Sequence, residues 1–423
     1  MTSDSGAMRN WAGNVAYSTS DVRTPASMAE LQEIVAGAAR VRALGSGHSF
    51  NDLIDCPETL VSTRGLPLSV EVDAVAAVAE VPGAATYAEV AAQLHERGWA
   101  LPNMGSLPHI SLAGACATGT HGSGVGNGCL ATSVVGVELV VADGSVVTGR
   151  VGDPDFAGMV LSLGSLGVVT RLWLAVQPTY DVAQDVLLDV PSSTVTERGV
   201  ELLSSAWSVS LFTSWRDPRV VDSVWRKSRV EPGTLPAADS WGGTAAEVAV
   251  HPIRGLDASA ATEQLGRPGP WHERLPHFRA AFTPSVGDEL QSEFFVPLDR
   301  LTEVWPRLVA GSPGFVDALQ VMEIRTIAAD ELWLSPFHDR RTLAVHATWV
   351  SDVAVVAPAL AELEAVVAPY DPRPHWGKVY GGSWGPATVA ASYPDLPRFQ
   401  ELAERLDPER CFVNDHVVRM GVR

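Results

Sequence analysis

Three short stretches place polar side chains two residues apart: Gln291 and Glu293, Glu323 and Arg325, His346 and Thr348. In extended backbone, positions i and i+2 share a face. Each pair would therefore look out from one side of a strand, with Met322 and Ile324 turned the other way. Carboxylates, a guanidinium, an imidazole, an amide and a hydroxyl on one floor offer paired donors and acceptors, which suits a hydroxyl-rich ligand. The same pattern fits a solvated sheet face with cross-strand ion pairs, and pattern alone does not choose between the two. A further cation, Lys378, follows Gly377 in His375-Trp376-Gly377-Lys378, where the backbone could approach a ligand closely. An exposed loop lysine is the commoner meaning of such a residue.

Two glycine-rich stretches could hold a second kind of ligand. Gly45-Ser46-Gly47-His48-Ser49-Phe50-Asn51 follows a short apolar run at 41–44. Successive N–H groups in such a turn form a concavity that favours phosphate oxygens, and the ring of His48 lies within reach of whatever binds there. Those seven residues alone favour a polar surface loop with an incidental histidine. The stretch 104–124, made of small residues, hydroxyls and glycines, shifts the balance. It is too poor in large side chains for an ordinary core, and it could wrap a long, thin, phosphate-bearing molecule.

The elements that must position these groups follow from capping and periodicity. Ser27-Met28-Ala29-Glu30 is a capping box opening a helix with Leu31, Ile34, Val35 and Ala38 on one stripe. A strand at 41–44, short strands at 70–72 and 78–81, and a second capped helix from Thr86 to Gly98 suggest a small α/β subdomain. A hairpin turning at Asp143-Gly144 joins 134–141 to 145–148; a helix at 155–163 stops at Gly164, and a buried strand runs over 168–176. Alternation marks strands at 208–213 and 221–225. A long Pro/Gly-rich stretch, 231–287, carries Trp241 and Trp271 and reads as an ordered cover. Strands at 293–296, 319–327 and 343–350, separated by helices at 301–309 and 354–367, suggest an antiparallel sheet covered by helices. A helix at 397–406 precedes a return of 411–416 to the first domain. The expected domains are 1–178, 179–375 and 376–423, the last completing the site.

The chain has 423 residues, 46% hydrophobic and 19% charged, enough to bury a large core in two or three domains. With 30 basic and 49 acidic residues its formal charge is −19. Such a surface repels nucleic acid and anionic lipid, so neither is an expected partner, and a neutral substrate is the natural one. Residues 1–14 show no apolar leader, no run approaches a membrane span, and the most apolar stretch, 134–142, is strand-like. Cys56, Cys116, Cys129 and Cys411 have no CxxC spacing. Reduced thiols in a cytoplasmic monomer are the expectation. GxxxxGK[ST] is missing, 122–128 does not fit GxGxxG, and His109 and His121 lack metal-ligand spacing, so no metal is expected.

The loop at 45–51 and the wrap at 106–122 resemble the flavin domain of the vanillyl-alcohol oxidase, or p-cresol methylhydroxylase, family. His375-Trp376-Gly377-Lys378, Glu323-x-Arg325 and His346-x-Thr348 narrow the resemblance to its sugar and sugar-alcohol branch, and to the alditol oxidases within it, over the whole chain. The resemblance implies an α+β protein: a two-subdomain FAD-binding domain plus an α+β cap with an antiparallel sheet. It implies that His48 is covalently bonded to FAD and that Ser106 touches both flavin and substrate. It implies FAD contacts at Arg42, Ala43, Leu44, Gly45, Ser46, Gly47, Ser49, Gly105, Ser111, Gly114, Ala117, Thr118, Thr120, His121, Gly122, Gly167, Val168 and His375. Gln291, Glu323, Arg325, His346, Thr348 and Lys378 would line a polyol site.

The implied reaction is oxidation of the terminal primary hydroxyl of polyols such as xylitol or sorbitol, with O2 reduced to H2O2. Arg325 and Lys378 would stabilise a developing alkoxide. His346 or neutral Lys378 would take the hydroxyl proton. Glu323 would fix which carbon faces the flavin, and Gln291 and Thr348 would bind the distal chain. An aldonolactone or sugar oxidase or dehydrogenase is the nearest alternative, and a non-catalytic flavin- or carbohydrate-binding protein the remote one.

Overall fold

In the computed structural model, residues 7–230, 239–282 and 289–423 are described, and their strands form sheets of three, five, nine and two strands. The three-stranded sheet is parallel and pairs Val22–Arg23 and Val41–Ala43 on either side of Thr59–Val61. Helix Met28–Gly37 lies on it, with Leu31 and Val35 packed against Val41, Val61 and Phe412. Its cap is half of the expected box. Ser27 accepts from the Glu30 N–H, while the Glu30 carboxylate turns back to the Ala26 N–H instead of that of Ser27. The box at Thr86 and Glu89 is complete and opens helix Tyr87–Glu96.

The five-stranded sheet is antiparallel, in the order Glu71–Asp73, Val78–Pro82, Val168–Ala175, Val134–Val140, Val146–Arg150. The first two of these strands were assigned from sequence to the α/β subdomain, and that assignment is corrected here. Ala79 and Val81 pack with Leu172, Leu174 and Val137, and alternation within a strand does not reveal which sheet it joins. The helix expected at 155–163 forms only over Phe156–Val160. Beyond it Leu163 takes a left-handed φ of 54°, and its N–H bonds Ala117 O, so tertiary contacts hold this turn out of the helix.

The nine-stranded sheet carries the site. Its central order is Asp181–Pro191, Val220–Val230, Ser208–Thr213, Leu319–Ile327, Thr342–Val350, Glu289–Pro297, Arg373–Pro374, all antiparallel. Helices Ser192–Leu203, Leu301–Gly311 and Val353–Val367 cover one face, where Met322, Ile324, Val345, Ala347 and Trp349 meet Trp305, Leu308 and Leu363. The other face looks toward the glycine-rich loops. Strand Asp181–Pro191 and helix Ser192–Leu203 carry no clear sequence signal. The strand is buried on both faces, including Gln184, and Asp189 breaks its alternation with a φ of 54°. The expected cover over 231–287 is ordered where described, with Trp271 fully buried and pairing to strand Asp181–Pro191 through Gly269–Pro270; residues 231–238 and 283–287 lie outside the described residues.

One apolar stretch was underestimated. Helix Val353–Val367 and its continuation, Val353–Tyr370, are by length and composition apolar enough to cross a membrane. Val356, Leu360, Leu363 and Val367 of that helix lie in the core under the nine-stranded sheet. The stretch 411–416 does return to the first domain, on both sides of the 45–51 loop: Val41 N–H bonds Cys411 O, and the Asn414 amide bonds Leu53 O and Asp55 O. All four cysteines are free and buried.

Candidate active site

The period-two pairs fall on the face away from the helices, and cross-strand register sets them in rows. His346 lies between Glu293 and Glu323 on neighbouring strands, and Thr348 lies beside Gln291. Glu293, Glu323 and Arg325 retain 1%, 3% and 5% of their exposure, so this is a buried polar floor and not a solvated sheet face. Buried charges persist only when paired. The Glu293 carboxylate receives Arg325 Nη2 at 2.8 Å on Oε1 and Lys378 Nζ at 2.7 Å on Oε2, while His121 Nε2 stands 3.1 Å from Oε1. Burial raises the Glu293 carboxyl, and Lys378, His121 and Arg325 together hold it well below the usual range. Glu323 is likewise held low: Arg325 and then His277 outweigh its burial. His277 Nε2 is 2.8 Å from Glu323 Oε1.

Lys378 feels the opposite pull. Burial lowers its ammonium, and Glu293 resists. Burial likewise pushes His346 down to about 4, with Lys378 adding to the effect, so the ring is neutral at neutral pH. His346 Nδ1 is 3.5 Å from Glu323 Oε2, and neither ring nitrogen has a hydrogen-bond partner among the described residues. Arg325 Nη1 donates to Ser106 Oγ at 3.3 Å, tying the floor to the wrap. The Gln291 amide donates to Glu289 Oε1 at 2.5 Å.

A cavity of about 1020 Å³ runs from this floor to the 45–51 loop. That loop is held from two sides. Trp11 N–H bonds Gly47 O, Asn10 and Asn14 amides bond Ser49 O and Phe50 O, and Phe50 N–H bonds Gly377 O. Asn51 donates to both Trp376 O and Lys378 O, so the 45–51 loop and the lysine turn share one backbone seam. Gly47 has φ +69°, which a glycine adopts without strain. The His48 ring stacks on Trp11 with centroids 4.7 Å apart and planes 23° apart. Burial, then His109, lowers His48 to about 4.

The glycine cradle fits FAD on the structure's own terms. A Cβ on Gly45 would stand 2.5 Å from Ser111 Oγ, so backbone and hydroxyl meet where side chains would close the channel. The Ser111 hydroxyl is buried without a hydrogen-bond partner among the described residues, as are both nitrogens of His346 at the far end of the same cavity. Such orphaned groups along a roomy cavity are what a bound polar molecule satisfies.

Of the residues singled out from sequence, Ala43, Leu44, Gly45, Ser46, Ser49, Ser106, Ser111, Gly114, Ala117, Thr118, Thr120, His121, Gly167, Val168, Gln291, Thr348, His375 and Lys378 border the cavity, with Glu323, Arg325, His346 and His48. Arg42 borders it too, but its guanidinium is committed to the carbonyls of Leu53, Leu163, Gly164 and Phe412. Gly105 and Gly122 stand behind the lining; a Cβ on Gly122 would lie 2.3 Å from Met104 O, so that glycine serves close backbone packing. Sequence reasoning gave Glu293 no role beyond its pairing with Gln291, and it missed Trp11, His277 and Lys227. Lys227 had one usable signal: it alternates with Trp225 and Ser223 along strand Val220–Val230.

Comparison with known proteins agrees with this geometry. Residues 20–150 match the FAD binding domain family, and 289–420 match the D-arabinono-1,4-lactone oxidase family. An alditol oxidase from a Streptomyces species is 46% identical over 414 residues, covering 96% of this chain and 97% of the relative. The chain belongs to the alditol oxidase family. It is thus an FAD-dependent oxidoreductase of the vanillyl-alcohol oxidase/p-cresol methylhydroxylase group. An L-gulono-1,4-lactone dehydrogenase from Mycobacterium tuberculosis is 28% identical over 97% of this chain and 98% of its own. The cholesterol oxidase of Brevibacterium sterolicum shares the fold of this alditol oxidase family member, with a TM-score of 0.78 at 13% identity over 98% of this chain and 96% of that one.

Proposed function

We propose that the protein oxidises the terminal primary hydroxyl of alditols, xylitol and sorbitol among them, to the aldose, using FAD joined covalently to His48 and O2 as the final acceptor. Electrons and atoms balance as alcohol plus O2 giving aldehyde plus H2O2. The observation that carries this reading is the convergence of Glu323, Arg325, His346 and Lys378 on the cavity that also holds the His48 loop.

Bound FAD supplies the two-electron acceptor for the hydrogen leaving carbon. The chain supplies the rest. Arg325 and Lys378, held side by side by Glu293, stabilise negative charge as it grows on the substrate oxygen. His346 takes the hydroxyl proton, because it is neutral and its nitrogens are uncommitted, whereas Lys378 is already engaged. Glu323 accepts from the neighbouring hydroxyl, and Gln291 and Thr348 orient the distal chain. The lowered His48 presents a neutral imidazole, the form that can act as a nucleophile in attachment.

A denaturing gel tests attachment: the wild-type band fluoresces under ultraviolet light and a His48→Ala band does not. A dark wild-type band with free FAD in the supernatant would refute it. Polyols screened for H2O2 release test the activity. The match of 289–420 to a lactone oxidase family favours a second reading, oxidation of a sugar lactone. L-gulono-1,4-lactone in the same screen separates the two, since only one substrate class should bleach the flavin efficiently.

A further inference from the structure

Behind Glu323 lies a polar chain that the reaction above does not use. Lys227 sits on strand Val220–Val230, on the same sheet face as the polyol floor, and is 1% exposed. Burial lowers Lys227 to about 7, with Glu323 opposing, and its ammonium form has three donors to satisfy. Here Nζ donates to Leu275 O at 2.5 Å and to Pro276 O at 2.9 Å, and lies 3.1 Å from His277 Nδ1. With the ammonium donating, Nδ1 of His277 is an acceptor and the ring proton must sit on Nε2. That nitrogen is 2.8 Å from Glu323 Oε1, a carboxylate oxygen that only accepts. Each partner in this chain therefore has one consistent role, and His277, though it borders the cavity, has both nitrogens committed.

We propose that Lys227 and His277 are positioning residues of the polyol site: Lys227 holds His277 in the tautomer whose Nε2–H bonds Glu323 Oε1, and this keeps Glu323 ionised with Oε2 turned to receive a substrate hydroxyl. The inference rests on the polyol reading for the role of Oε2, but not for the protonation of Glu323. The groups facing Glu323 are Arg325 on its own strand, His346 on the adjacent strand, Lys378 from the 375–378 turn, and His277 from the cover, with Lys227 behind it. His277 is lowered to about 4 by burial and then by Lys227, so it acts as a neutral donor and not as a counter-ion. Losing that donor leaves Arg325 as the main group favouring the carboxylate, and the Glu323 carboxyl must rise.

Two readouts on the flavin-loaded protein test this, in His277→Phe and in His277→Gln, whose amide can restore a donor. Infrared titration, differenced against Glu323→Gln, follows the Glu323 carboxyl without any substrate. Its midpoint should move upward by one unit or more in His277→Phe, about the weight of one charge-assisted hydrogen bond, and return toward wild type in His277→Gln. The KM for xylitol should rise about tenfold or more in His277→Phe, with kcat at high substrate much less affected. An unmoved midpoint would overturn the inference. A moved midpoint in a protein that ignores polyols would leave the relay standing and refute the polyol reading instead. A Lys227→Met protein that folds should show the same upward shift, smaller than that of His277→Phe, because the imidazole is then free to exchange tautomers.

Discussion

Glu293 is the residue on which the two cations of the site depend. Replacing it by glutamine leaves Arg325 and Lys378 side by side without their anion. Breaking a buried pair in this way costs about 3–5 kcal/mol, so Glu293→Gln should unfold at clearly lower temperature. The sign of its second effect follows from the directions above. Burial already lowers Lys378 and Glu293 opposes that, so without Glu293 the ammonium loses its proton at lower pH. The alkaline limb of flavin reduction should then shift to lower pH, which a stopped-flow pH series reads directly. Lys378→Ala is expected to stay yellow yet bleach about a hundredfold more slowly with xylitol under anaerobic conditions. A rate near wild type would transfer its role to Arg325. The period of two made Glu323, Arg325, His346 and Thr348 legible in sequence. The central role of Glu293 was not, because it comes from Lys378, 85 residues away, and from His121 on a different domain. His277 sits in irregular chain, where no periodicity marks which side chain turns inward.

At the scale of elements, the glycine wrap makes a contrast that mutagenesis can measure. In Gly122→Ala the new methyl meets Met104 O at 2.3 Å, a backbone atom that cannot swing away. That crowding should cost about 1–3 kcal/mol, read as a lower denaturant midpoint, together with weaker FAD retention. Gly126→Ala has nothing within 4 Å and should unfold with wild-type stability. Equal stability for the two would mean that the wrap is looser than its contacts imply. Strand Leu319–Ile327 was legible to the residue because one face is polar and the other meets helices. Strand Asp181–Pro191 was not, since burial on both faces erases alternation, and helix Ser192–Leu203 carries Gly199 and a non-helical Arg198 at φ −136°.

Across the whole molecule, a clasp joins chain ends to the site. Tyr380 Oη, His416 Nε2, His416 Nδ1 and Asp52 Oδ1 are linked at 2.8 and 2.6 Å, and Arg419 adds a bond to Asp52 at 2.7 Å. Although burial raises the Asp52 carboxyl, His416 and Arg419 outweigh it and hold it below its ordinary value. A carboxyl depressed on folding adds stability above its unfolded value, near 4, and that stability is lost as pH falls further. Asp52→Asn should therefore lower Tm at pH 7, with the difference from wild type shrinking below about pH 4; a constant difference would assign the clasp to packing alone. Arg42 makes the same long connection in a different form. Its guanidinium gathers the carbonyl of Leu53, just beyond the 45–51 loop, and that of Phe412, which belongs to chain made 370 residues later. During synthesis, then, the loop bearing His48 leaves the ribosome early but waits for nearly the whole protein before its anchor closes. Cofactor capture is in this sense a final inspection: a chain released short of Phe412 should be translated normally and still never turn yellow.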